Sequence, residues 1–328
     1  MKLLYPRFIN GNFGDELNSW LWSRLLPDIK FDDDDRVRVM GIGSGLSPKL
    51  WRKQPLSRYV VLGSGAGYSH FKFSLGRRFP LLAISLEKIL SQEAPLQRDW
   101  LPPSSKIYWV RGPLTVKLLK LDPALACGDP VTYLNRFVEH SNSPRAAVAY
   151  MPHFRSSILT EIELLCAEAG IAYIDPCAGI EPVMAQLQNC QLLITEALHG
   201  AIAADAFRIP WIPVVTSSLV LDFKWRDYCM QMELDYQPHC IPPVWRIEEI
   251  LRDKKCDVPY GLRLPTRVRG WVANCGQRKR AVQQLKKLSG QRPCLASDSV
   301  VARAQERMEE ALALFRNDVH NGFWNTRS

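Results

Sequence analysis

Short apolar runs separated by longer stretches of mixed polarity dominate the first part of the chain, the rhythm of a parallel sheet with crossover helices. Residues 2–5, 37–42, 59–62, 81–84 and 107–110 read as strands. Between the first two, Leu17, Trp20, Leu21 and Leu25 recur at helical spacing, predicting a helix over residues 15–26 with Asp15 placed to cap it. A polar, turn-rich stretch at residues 139–144 divides this part from a second alternation. There, buried strands are predicted at residues 147–151, 171–174, 192–195 and 211–215, with helices at 157–169, 181–189 and 199–207. Beyond residue 260, residues 271–288 and 300–315 carry apolar positions at helical intervals among many Arg and Lys. The expected organisation is α/β, with domains at 1–140 and 141–260 and a basic helical extension at 261–328.

Length agrees with this division, since 328 residues exceed the usual extent of one hydrophobic core. Although 47% of residues are apolar, no run approaches the roughly 18–20 needed for a membrane-spanning helix. The first residues read as a strand and lack the pattern of a secretory signal, so a cytoplasmic location is expected. Nine cysteines, an odd number without a C-x-x-C pair, suit reduced thiols rather than a disulfide framework or structural zinc. The net charge of +9 resides in the tail: residues 261–328 hold 13 Lys and Arg against 5 Asp and Glu. No basic motif interleaved with aromatics accompanies it, so nucleic acid is not an expected partner; a solvated helix face or anionic lipid is.

Four segments could carry chemistry. The first is Asn12-Phe13-Gly14-Asp15-Glu16, a glycine-bearing loop at a helix start, where backbone N–H groups favour an anion. Its plainer reading is a tight turn with Asp15 capping the helix. The second pairs Gly41-Ile42-Gly43-Ser44-Gly45 with Gly63-Ser64-Gly65, two glycine-rich strand ends open to a phosphate or sugar, or serving only as turns. Neither has the dinucleotide spacing G-x-G-x-x-G, which disfavours nicotinamide chemistry. The third is Arg111-Gly112-Pro113, whose guanidinium, after a strand, suits a phosphate or carboxylate unless it pairs with a carboxylate such as Asp129. The fourth is Glu196-Ala197-Leu198-His199-Gly200, running from strand into helix. It places His199 at a helix N-terminus, where a neutral imidazole can exchange protons, while Gly200 leaves room for a ligand. Two lesser candidates are His153, in Met151-Pro152-His153-Phe154-Arg155, and the cluster Phe223-Lys224-Trp225-Arg226-Asp227. Lys224 and Arg226 offer phosphate contacts and Trp225 a face for a sugar, or all three lie on a surface helix.

In order and spacing these segments resemble the polysaccharide pyruvyltransferase family, particularly members of succinoglycan-type exopolysaccharide assembly. The likeness covers roughly residues 5–230 and rests on residues 12–18, Gly63-Ser64-Gly65, Arg111-Gly112-Pro113 with Gly128-Asp129-Pro130, and Glu196-Ala197-Leu198-His199-Gly200. It departs where many members read Arg-Leu-His-Gly and this chain has Ala197; Lys224, Arg226 or Arg155 would then supply the charge. The resemblance implies two Rossmann-like domains facing across a cleft, similar to B-type glycosyltransferases. It also implies ketal transfer of pyruvate from phosphoenolpyruvate to a saccharide, usually lipid-linked, without a metal or redox cofactor. In that chemistry His199 is the acid/base or phosphate contact, Arg111 binds anion, and Asp15 meets a sugar hydroxyl or a proton. Asn12, Gly14, Gly63, Gly65, Asp129, His153, Glu196, Gly200, Lys224 and Arg226 are the substrate-binding candidates. The competing expectations are a nucleotide-sugar glycosyltransferase and a non-catalytic sugar-binding assembly protein. A basic tail held peripherally at the inner membrane completes the expected picture.

Overall fold

Two all-parallel sheets organise the computed structural model of the chain, which describes residues 1–46, 56–67, 102, 104–139, 146–217, 220–252 and 267–325. In the first sheet β1 (Lys2–Leu3), β2 (Val37–Met40), β3 (Arg58–Leu62) and β4 (Lys106–Trp109) lie in sequence order. Almost every residue of β2 and β3 is buried, as in a parallel sheet covered on both faces. β2 gives way at Gly41, two residues earlier than its apolar run suggests. Only a residue without a side chain passes Trp22 there, since a Cβ would lie 2.0 Å from the indole Nε1. The strand expected at residues 81–84 and the domain boundary at 140/141 fall outside the described residues.

Helix α1 (Phe13–Leu25) begins two residues before the predicted start, with Asn12 rather than Asp15 at its N-cap. Phe13, Leu17, Leu21 and Leu25 bury its inner face. Helix α2 (Pro113–Leu119) opens on the Gly-Pro pair as expected, Pro113 supplying a pre-set φ where no N–H is needed. A 3-10 segment, Pro130–Arg136, is capped by Asp129, whose Oδ1 accepts the N–H of Val131.

The second sheet has the order β6 (Ala172–Tyr173), β5 (Ala149–Met151), β7 (Leu193–Thr195), β8 (Trp211–Val215), β9 (His239–Cys240). From β5 the chain winds to β6 on one side and then to β7 on the other. The carboxyl ends of β5 and β7 thus meet at a topological switch point, where sheets of this class bind ligands. β9, two residues between Pro238 and Pro242, is too short to leave a pattern in the sequence. The crossover elements are α3 (Phe154–Leu159), α4 (Ile162–Ala169), α5 (Ile180–Gln188), α6 (Leu198–Ala206) and α7 (Asp222–Gln231), and α8 (Ile247–Arg252) follows the last strand. The single helix predicted over 157–169 is therefore two. Thr160 is extended, and the next N–H, of Glu161, leaves the helix to bond the carbonyl of Val244 at 2.8 Å.

The tail forms α9 (Arg267–Leu288), packed on α4, and α10 (Asp298–His320), packed on β4 and the 3-10 segment. Part of its positive charge meets acidic partners within the chain: Arg278 pairs with Glu161 and Glu168, and Arg303 with Glu233. Tyr108 of β4 receives the Trp324 indole N–H at 3.0 Å and packs edge-on against Phe315. One buried cluster contains Trp22 and Trp109 near the first sheet, Trp211 and Trp225 near the second, and Met308 and Phe315 of the tail. Among the described residues no helix is long and apolar enough to cross a membrane.

Gly63 illustrates how tightly the strand ends are packed. Its φ of +93° is left-handed, and a Cβ would lie 2.6 Å from Cδ of Pro130. Gly63→Ala is expected to destabilise the protein by about 2–4 kcal/mol, combining backbone strain with overpacking; an unchanged denaturant midpoint would contradict this.

Candidate active site

A cavity of about 420 Å³ opens where the loops after β1, β2, β3 and β4 meet those after β5 and β7. It falls within the roughly 300–1,000 Å³ usual for small-molecule sites. Two helices begin at its wall. The N-terminus of α6 has no side-chain cap, and at α1 the Asn12 amide donates to Oδ2 of Asp15 at 2.6 Å instead of capping the helix. Both helices consequently present positive dipole ends at the wall, and at α6 the first N–H groups have no side-chain cap, a setting for anionic oxygens.

Of the predicted residues, Asn12, Gly14, Asp15, Arg111, His153, His199, Gly200 and Lys224 line this one cavity. His199 stands in the first turn of α6 with Nδ1 against Gly14, where an added Cβ would lie 1.9 Å away. Gly14 is thus required for the imidazole to occupy its place. Gly200 has a packing role as well, because a Cβ would meet Sδ of Met151 at 2.7 Å. Burial pushes the Asp15 carboxyl above the usual carboxylate range, while His199, Asn12 and Lys224 pull it down. His153 is driven the other way: burial, then Lys224 and Arg155, lower its imidazole to about 3, so it stays neutral. Its Nδ1 accepts the N–H of Arg155 at 3.4 Å, capping α3.

Arg111 reaches the cavity from beneath. Its side chain is fully buried, and the carboxylate that pairs with it is Asp227, at 3.2 Å, rather than Asp129. The guanidinium also donates to the carbonyls of Gly43 and Ala66 and to Oγ of Ser44, at 3.3–3.4 Å. Asp227 in turn accepts the N–H and O–H of Thr115 at 2.9 and 2.7 Å. This buried cation is neutralised and held in a fixed position.

Six predicted substrate contacts lie outside the lining. Gly63 and Gly65 make room for Pro130 and for the Arg111 guanidinium, respectively. Glu196 is fully buried and joins three strand ends, accepting from the N–H of Thr216 at 2.7 Å and of His153 at 3.3 Å. Arg226 pairs with Asp222 one turn earlier on α7. Asp129 lies behind His199, with Oδ2 3.6 Å from Nε2. Trp225, expected to face a sugar, is buried against Trp211 and stacks on Tyr236.

Sequence reasoning assigned no role to Phe8, Ser64 or Asp227. Phe8 and Phe154 form an aromatic pair, centroids 4.6 Å apart, in the cavity wall, with Phe8 partly exposed. An apolar residue in a loop carries no such signal. Asp227 was more legible, since it lies three residues after Lys224 on the same helix face.

A parallel α/β fold with cations and two helix N-termini around a switch-point cavity is a setting that suits an anionic ligand. The chain belongs to the polysaccharide pyruvyl transferase family, whose model matches residues 12–218. It is 31% identical over 253 residues to succinoglycan biosynthesis protein ExoV of Rhizobium meliloti (strain 1021), covering 77% of this chain and 71% of the relative. It is also 26% identical over 167 residues to the uncharacterized protein L143 of Acanthamoeba polyphaga mimivirus, covering 46% and 58% of the two chains. No solved structure matches it significantly.

Two measurements check these electrostatics. Asp227→Ala leaves the Arg111 charge buried and unpaired and is expected to cost about 3–5 kcal/mol in chemical denaturation; a loss below 1 kcal/mol would be incompatible with the pairing. For Asp15, a carboxyl whose folded pKa is raised contributes stability below its unfolded pKa, and this is lost as pH rises through the folded value. Asp15→Asn is therefore expected to melt higher than the wild type at pH 7, the gap closing toward pH 3. A lower midpoint at pH 7 would mean that the contacts to Asn12, His199 and Lys224 outweigh burial.

Proposed function

We propose that the cavity binds phosphoenolpyruvate and that the enzyme transfers its pyruvyl group, as a cyclic ketal, to a sugar of a lipid-linked exopolysaccharide precursor. The observation that carries this reading is the gathering of Asp15, Arg111, His199 and Lys224, from four distant segments, around one cavity. Family membership supports pyruvyl transfer, and the name of the Rhizobium relative supports an exopolysaccharide acceptor.

The chemistry follows from the donor. A proton added to the methylene carbon makes the central carbon electrophilic, and one sugar hydroxyl adds there. The carbon–oxygen bond to phosphate breaks, and a second hydroxyl closes the ketal. The two hydroxyl protons are balanced by one gained at the methylene, now a methyl, and one taken by phosphate. A proton carried by His199 goes to the donor methylene and Asp15 receives one from a sugar hydroxyl, an exchange suited to two neighbouring acid/base groups. Lys224 and Arg155 line the cavity and provide the charge that Ala197 lacks, whereas Arg226 is taken up by Asp222. With the helix N-termini they hold the donor carboxylate and the leaving phosphate, and Arg111 supports them from below. The Phe8–Phe154 pair presents an apolar face suited to a sugar ring.

In this reading the two sheets are Rossmann-like domains, 1–140 and 141–260, facing across the cavity as in B-type glycosyltransferases. Among the described residues, Lys279, Arg280, Lys286 and Lys287 of α9 are exposed tail cations suited to an anionic membrane at its cytoplasmic side.

Phosphoenolpyruvate is expected to protect the protein against thermal unfolding, and phosphate release to require a saccharide acceptor. Protection by UDP-glucose and not by phosphoenolpyruvate would instead make it a nucleotide-sugar glycosyltransferase. His199→Ala is expected to lower turnover at least 10²-fold, the low end of the general acid/base contribution, with the melting temperature retained; near-normal turnover removes His199 from the mechanism.

A further inference from the structure

The imidazole of His199 is gripped from two sides. Gly14 closes against Nδ1 on one, and on the other Nε2 faces Oδ2 of Asp129 at 3.6 Å. Both Nε2 and Oδ2 are buried and make no hydrogen bond, although buried polar atoms are nearly always satisfied. The carboxylate is itself immobile: Asp129 is fully buried, and its Oδ1 accepts the N–H of Val131 at 3.1 Å. Its backbone is set between left-handed Gly128, φ +137°, and Pro130, which fills the space left by Gly63. The carboxylate thus has one oxygen committed to the fold and one directed at a single ring nitrogen.

We propose that Asp129 is a positioning residue for the transfer reaction, holding the His199 imidazole with a proton on Nε2 so that Nδ1, on the side of the cavity-lining Gly14, is the atom that exchanges the catalytic proton. A carboxylate can only accept at Nε2, and in neutral imidazole a proton on one nitrogen leaves the other as acceptor. At 3.6 Å the contact stands just beyond hydrogen-bond length, a gap that catalytic contacts of this kind close when substrate binds. Asp129 does not touch the cavity, so it acts only through His199. This assignment rests on the acid/base role proposed for His199, but it makes a claim about the ring that holds without substrate.

The test uses the full-length enzyme with ¹⁵N-labelled histidine. Two-dimensional ¹⁵N NMR of the wild type, with His199→Gln identifying the resonance, is expected to show the neutral ring protonated at Nε2. A ring protonated mainly at Nδ1 overturns the proposal, whatever the activity. Asp129→Asn keeps an oxygen for the Val131 N–H but can present its amide N–H₂ to Nε2. It is expected to shift the proton to Nδ1 and to lower kcat roughly 10²–10⁴-fold, with little change in KM for phosphoenolpyruvate. Should Asp129→Asn fold, as judged by its melting transition, and retain both tautomer and kcat, the proposal fails; should it not fold, the wild-type tautomer decides. Absence of any transfer from phosphoenolpyruvate alongside an Nε2-protonated ring would defeat the proposed function and leave the role of Asp129 intact.

Discussion

The buried ion pair of Arg111 and Asp227 is the contact on which the site depends. Neither side chain is exposed, and two charges out of water are tolerable only when each is paired and hydrogen-bonded. Both members are accordingly hydrogen-bonded further: Arg111 holds the loops after β2 and β3, while Asp227 holds the start of α2 through Thr115. Because Arg111 follows β4 and Asp227 belongs to α7, the pair joins elements of the first sheet to a crossover helix of the second. Even Gly112 belongs to this arrangement, since a Cβ there would strike the Asp227 carbonyl at 2.3 Å.

With the floor fixed, the walls follow from helix starts and strand ends. The α1 segment reaches across to the second sheet, where Phe13 donates its N–H to Pro176 at 2.9 Å and Phe8 packs on Phe154. Opposite it, Thr195 at the end of β7 accepts the Ala197 N–H at 2.9 Å and donates to the Met151 carbonyl, setting the angle at which α6 delivers His199. The geometry therefore gathers cations and helix N-termini around the cavity and places a carboxylate, Asp15, where burial makes it costly to ionise. A site that disfavours its own resting charges but suits a bound anion gives up stability for differential binding.

The tail takes part in the fold as well as in the charge balance. α9 covers α4 and α10 covers β4, so the same segment braces elements of both sheets. Among the described residues some of its cations, such as Arg278 and Arg303, are held by acidic partners and others, such as Lys279 and Lys286 of α9, are exposed, a distinction net charge alone does not make.

The sequence by itself determined the parallel α/β character, most strand positions and the segments that reach the cavity. Strongly apolar runs leave little choice of structure, and Asn12, Gly14, Asp15, His199 and Lys224 lie at strand–helix junctions, where sheets of this class bind ligands. Glu196, Asp129, Arg226 and Trp225 have residue types that suit a ligand but stand outside the cavity lining, because their partners Thr216, His199, Asp222 and Tyr236 become known only on packing. The sequence also predicted one helix where Val244 draws away the N–H of Glu161. Which carboxylate pairs with Arg111, and which way His199 turns, were decided by tertiary structure alone. Pairing across 116 residues depends on how two sheets come together, and local spacing carries no record of that.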